Sequence, residues 1–284
     1  MTIIKPLFAL LLTLILLLSC KTQYQGSPQT GVEISDHYRL ADSILQVGLD
    51  NEALFTLLAD IKPMSSLVSF SFPIANTDST KLLEGNILEP DSAGAYLAEI
   101  ACIQRAVNSI NLDGLDVVFV PYAAAYGKNR SLQVSVVRTA LLDSLLDAQQ
   151  AFFGQFGITR GANPAMVVTA NEYGKKYDRL RGYGYLFGYP DYAVDFFVEA
   201  FHTADTSGKH VERDFFRMPT FSSEEGNFVY AVPKGHRIGQ LDSLIDNRAT
   251  NLLEEYKRWR PRYLRPDSTL RSQELIRDFI GKQN

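Results

Sequence analysis

Apolar residues recur along this chain at helical spacing in some segments and at strand spacing in others, and these periods predict most of its elements. Over residues 36–62, the segments DHYRLADSILQV and DNEALFTLLADI place apolar residues three and four apart. That is the spacing of one helix face, and it predicts two short helices separated near Gly48, the second ended by Pro63. Residues 66–74, SLVSFSFPI, alternate and are rich in β-formers, which predicts a strand. A helix is expected from Asp91 to about Ile110. Its large residues Tyr96, Leu97, Ile100, Ile103 and Val107 share one face. Ala95, Ala98, Cys102, Ala106 and Ser109 share the other, so the helix is expected to pack on both sides.

LDVVFVPY (115–122) and SLQVSVV (131–137) read as strands joined across AAAYGKN, and TALLDSLLDAQQAFFGQFG as an amphipathic helix ended by Gly154 or Gly157. PAMVVTA (164–170) has no decisive period. RDFFRMPTF and NFVYAVP read as antiparallel strands joined by SSEEG. The C-terminal part reads as a helix, GQLDSLIDNRATNLLEEYKRW, then a Pro-bounded link and a second helix, STLRSQELIRDFIGK. Helices and strands mix without regular βαβ alternation. The expected class is α+β, with a mixed or antiparallel sheet of about five short strands packed with several helices.

The segment RGYGYLFGYPDYAVDFF (181–197) contains Gly182, Gly184 and Gly188 in a G-x-G-x-x-x-G spacing. A dinucleotide loop is one residue shorter and opens a helix after a buried strand. Here charged residues precede it, and Tyr, Leu and Phe in the gaps would crowd a pyrophosphate. The segment reads instead as a packed neck: a turn at Gly188-Tyr189, Pro190 at a helix start, and a mostly buried helix from Asp191 to about Phe201.

That helix carries one acidic stripe. Asp191, Asp195, Glu199 and His202 fall within about 80° of one another around the axis. Glu199-x-x-His202 has the i, i+3 spacing of a carboxylate–histidine metal half-site. With Asp195 it could also serve acid–base chemistry, and His236, in a loop at a strand end, is a further candidate. The plain reading of the stripe is a solvated face or a structural ion pair with Arg179 or Arg181. Neither HExxH nor a second ExxH occurs, and no G-x-S-x-G or S-x-x-K signature accompanies these residues, so the metal is left unknown and no cofactor is expected. A second candidate region, EEYKRWRPRYLRP, sets Arg260 and Arg262 among Trp259 and Tyr263, a composition suited to binding an anionic or acidic partner. Its plain reading is a helix end with a packed aromatic.

The N-terminus settles where such chemistry would act. Lys5 precedes an apolar run from Leu7 to Leu18, too short to span a bilayer, which reads as a secretory signal. The following Leu17-Leu18-Ser19-Cys20 resembles the lipobox of bacterial lipoproteins. The resemblance implies cleavage after residue 19 and acylation of Cys20. Lys21 in place of Asp implies sorting to the outer membrane. Residues 20–32 then read as acylated cysteine and flexible tether, and residues 33–284 as a single α+β globular domain. With Cys20 lipidated, Cys102 has no partner for a disulfide, and the domain must be held by its core. The chain has 28 basic and 32 acidic residues, a net charge of −4, which argues against nucleic acid as a partner. The expected protein is a membrane-anchored envelope lipoprotein acting as a non-catalytic binding or assembly module. Its expected partners are the membrane, through its lipid, and an envelope protein or glycan. The alternative is an envelope hydrolase or metal-dependent enzyme using Glu199 and His202.

Overall fold

A computed structural model describes residues 31–76, 90–224 and 228–283. The lipobox-like segment lies outside these residues, as does part of the turn between the last two strands. In chain order the elements are α1 (Gly31–Leu49), α2 (Leu54–Leu57), β1 (Met64–Phe72), α3 (Pro90–Asn108), β2 (Leu115–Tyr126) and β3 (Asn129–Arg138). There follow α4 (Thr139–Ala148), α5 (Gln150–Phe153), a 3-10 turn, α6 (Pro164–Glu172), α7 (Lys176–Leu186) and α8 (Asp191–Ser207). The chain ends with β4 (Arg213–Met218), β5 (Phe228–Pro233), α9 (Gln240–Trp259), a second 3-10 turn and α10 (Ser272–Gln283).

The class is α+β, with five antiparallel strands divided between two small sheets. The larger sheet has the order β1-β3-β2, and the smaller is the β4-β5 hairpin. The larger sheet is buried on both faces, which is why its centre lacks the polar alternation of a half-solvated strand. The even residues of β3, Leu132, Val134 and Val136, enter a first core with Ile44, Phe55, Phe70, Tyr256 and Phe279. Val137 enters a second core with Val118, Leu142, Phe153, Val167, Leu186 and Val194. A bulge in β1 between Ser66 and Val68 switches its parity, so Met64 joins the second core while Leu67, Phe70 and Phe72 join the first. Gln133 answers the bulge by donating its amide to the carbonyl of Val68, at 3.1 Å. A second irregularity, in β2 between Pro121 and Ala125, is held from both sides. Arg130 donates to the carbonyls of Tyr122 and Ala123 at 2.8 and 2.6 Å, and Glu172 accepts the Ala123 N–H at 2.9 Å.

Three local expectations are corrected. The two helices part close to Gly48, which itself lies inside α1 with the break after Leu49, but the second ends at Leu57 and not at Pro63. A Cβ at Gly48 would lie 2.1 Å from Leu67 Cδ2, so the glycine is the place where the bulged strand presses on the helix. The helix α3 packs on one side: Ile103, Ala106 and Val107 are buried, Ala95 and Ala98 are exposed, and Leu97 is exposed with them. Gly182 and Gly184 lie inside α7 and not in a loop. A Cβ on Gly182 would strike Asn171 Oδ1 at 1.8 Å, and one on Gly184 would meet Val194 Cγ2 at 2.7 Å. These glycines let α7 close against α6 and α8. The segment without a decisive period, PAMVVTA, is helical, capped by Asn163, whose side chain accepts from the Met166 N–H at 3.2 Å, with Pro164 in the first turn.

Candidate functional site

The most concentrated polar cluster is built where β5, α8 and α9 meet. The loop after β5 is fixed by Asp214 of β4, which accepts from Lys234 Nζ and the Gly235 N–H, each at 2.8 Å. This sets His236 beside Asp242, in the first turn of α9. Asp242 is 1% exposed and accepts four hydrogen bonds. Tyr230 Oη donates at 2.6 Å, His236 Nε2 at 3.0 Å and the Gly239 N–H at 2.8 Å, and Tyr192 Oη is the fourth donor. The Gly239 contact is half of a capping box, so the same carboxylate starts the helix. Burial opposes ionisation of Asp242, but the hydrogen bonds outweigh it and hold the carboxyl down at about 2. Burial, reinforced by this carboxylate, drives the Tyr230 and Tyr192 phenols well above their usual range.

A carboxylate can only accept, so His236 donates from Nε2. The ring stacks on Tyr192, with centroids 5.2 Å apart and planes at 17°. Immediately beyond stand three exposed apolar side chains, Ile238 (67%), Leu241 (50%) and Leu244 (55%). Leu241 and Leu244 are one turn apart on the same face of α9.

Among the described residues no hydrogen bond, ion pair or ring contact joins His236 to the acidic stripe of α8, although His236 stacks on Tyr192, the neighbour of Asp191 in the first turn of that helix. Asp195 is exposed and takes an ion pair from Arg181, which also donates to Tyr185 Oη at 3.0 Å. Glu199 is exposed and has no hydrogen-bond or ion-pair partner among the described residues. His202 is exposed, its ring edge-on to Tyr177 at 5.4 Å. Tyr177 in turn donates to Asp205 at 2.8 Å, and Lys176 pairs with the same carboxylate. Among the described residues, no group of three or more His, Cys, Asp or Glu side chains is placed to hold a metal.

The aromatic–basic stretch is largely turned inward. Arg260 makes a two-pronged ion pair with Asp50, Nε and Nη2 each at 2.8 Å. Tyr263 is buried and donates to Asp278 at 2.7 Å. Trp259 stacks on Tyr263 and meets Phe279 edge-on at 5.2 Å. Arg262 is exposed, as are Lys257 and Arg258, with its guanidinium 5.9 Å from the Trp259 ring centroid.

Two buried charge groups have no counterpart in the sequence reading. Lys62 is wholly buried, donates to Glu52 at 2.9 Å, and lies 5.3 Å from the Phe187 ring centroid. Burial lowers its pKa against the pull of Glu52. Glu172, also buried, gathers the Ala123 N–H, Tyr183 Oη at 2.7 Å and Arg179 at 3.5 Å. No motif marks either carboxylate or Asp242, because their partners come from distant segments. The one local signal was Gly239-x-x-Asp242 ahead of an apolar-periodic run. No protein-family model, curated protein or solved structure matches this chain.

Proposed function

We propose that the protein is a lipid-anchored lipoprotein of the cell envelope, sorted to the outer membrane, whose domain binds an envelope protein and does not catalyse a reaction. The anchor part rests on the Lys5 charge, the Leu7–Leu18 run and the Leu17-Leu18-Ser19-Cys20 resemblance. The observation that carries the binding part is the apolar shelf of Ile238, Leu241 and Leu244. Single exposed apolar residues are ordinary, but three within seven residues on a rigidly held terminus make an apolar centre. Arg237 and Ser243 supply a polar edge beside it, the anatomy of a protein contact. The Asp242 cluster supports this reading, since a surface whose backbone is fixed in advance loses little entropy on binding.

Complementation of a deletion strain tests the reading, with every variant checked for level and melting temperature. Leu241→Glu with Leu244→Glu is expected to fold, to remain anchored and to fail to complement, while Glu199→Gln complements fully. A Glu199→Gln protein that is stable, normally abundant and inactive would overturn the reading in favour of an enzyme built on Glu199 and His202.

A further inference from the structure

We propose that the layer between the larger sheet and helices α6 and α7 contains a binding site for one ordered water molecule, held by Ser66 and Ser135. A small cavity of about 10 Å³ lies there. That is the low end of the space one water needs, and too small for any organic ligand. The register explains its polarity. Ser66 of β1 is paired with Ser135 of β3, and both turn toward the second core, as Gln133 does. Neither serine hydroxyl has a protein hydrogen-bond partner among the described residues, and both line the cavity. Ser135 is buried as a residue but its hydroxyl faces the cavity, where a water could supply the hydrogen bonds that it makes in the unfolded chain.

Two further polar groups complete the cage. Tyr122 Oη donates to Gln133 Oε1 at 3.2 Å and keeps lone pairs to accept with. Tyr183 Oη, whose proton goes to Glu172, can likewise accept. A water here could donate to these oxygens and accept from a serine, within the two to four partners that buried waters usually have. It would tie the bulged β1 and the sheet centre to Tyr183 of α7, past the apolar lining residues Val168 of α6 and Phe187. The site is independent of the surface shelf, and its failure would leave the function proposed above untouched.

A crystal structure of the wild-type domain at about 1.8 Å resolution tests it. The expected result is a single density peak within 2.7–3.2 Å of Ser135 Oγ and of at least one other lining oxygen. In Ser135→Val, where a methyl group takes the place of the hydroxyl and fills the space, the peak should vanish. A wild-type map with ordered lining side chains and no peak overturns the proposal, as does a peak that survives unchanged in Ser135→Val. If Ser135→Val does not fold, the wild-type map alone decides.

Discussion

At the scale of single residues, Asp242 is the side chain on which most depends. An amide in its place keeps one acceptor oxygen, and with that oxygen turned to the Gly239 N–H and His236 Nε2 its N–H₂ faces the Tyr192 and Tyr230 hydroxyls, which must give up donating here. Asp242→Asn is therefore expected to cost about 2–4 kcal/mol, read as a lower urea midpoint at unchanged slope. The carboxyl also sets part of the acid limb. Its pKa is lowered from an ordinary 3.8 to about 2, so below pH 4 the unfolded chain binds this proton more readily than the fold does. The stabilisation is complete above about pH 4 and is lost as pH falls toward 2, at most about 2 kcal/mol. Asp242→Asn should flatten that part of the stability–pH curve, and an unchanged acid limb would show that other carboxylates set it. Gly188 gives a second test at this scale. Gly188 and Gly208 both have positive φ, 71° and 67°. A Cβ at Gly208 meets nothing within 4 Å, whereas one at Gly188 lies 2.9 Å from Pro63 Cδ. Gly208→Ala should cost about 1 kcal/mol of backbone strain, and Gly188→Ala at least 1–2 kcal/mol more. Equal drops in melting temperature would mean that the neck relaxes freely.

At the scale of elements, α9 carries its own contrast between buried and exposed faces. Leu253 is buried in the first core, while Leu241 and Leu244 project from the same helix into solvent. Leu253→Ala is expected to cost about 2–4 kcal/mol, whereas Leu241→Ser and Leu244→Ser should each change stability by no more than about 0.5 kcal/mol. Thermal melts of the three variants check this; a large loss from either serine variant would mean the shelf is part of the core. The same helix shows why so much of the fold was legible. Its buried residues Ala249, Leu252, Leu253 and Tyr256 recur three and four apart, so burial against one neighbour leaves its period in the sequence. The hairpin β2–β3 and the turn into α8 were legible for similar local reasons. What stayed hidden was set by close approach across long separations. The close approaches of Leu67 to Gly48, of Asn171 to Gly182 and of Val194 to Gly184 leave no local signature, so the reason for each glycine stayed hidden. The candidate site divides in the same way. His236 was visible as a titratable group at a strand end, but Tyr192, 50 residues from Asp242 in sequence, could be joined to it only by the fold.

At the scale of the whole molecule, the proposed envelope location turns on what would hold the protein to a membrane. No helix among the described residues is long and apolar enough to cross a bilayer. The proposed anchor is the acylated Cys20, with ten residues between it and the start of α1 at Gly31. Each buried CH₂ contributes about 0.8 kcal/mol, so one chain binds reversibly and several together bind stably. The shelf is the competing attachment. Three aliphatic side chains at roughly 1.5–3 kcal/mol each, if fully buried, give at most weak and reversible contact once the cost of association is subtracted. The two attachments therefore predict different fractionation. Cys20→Ser should move nearly all of the protein from the membrane pellet to the soluble fraction with its melting temperature unchanged, since the two cores are built from residues between Leu40 and Phe279. Leu241→Glu with Leu244→Glu should leave the protein in the pellet, even through a high-salt wash. Mass spectrometry of the wild-type N-terminus closes the argument: a mature chain starting at an acylated Cys20 is expected. An unmodified Cys20, or a Cys20→Ser protein that stays in the pellet, would remove the lipid anchor and leave a protein contact as the source of attachment.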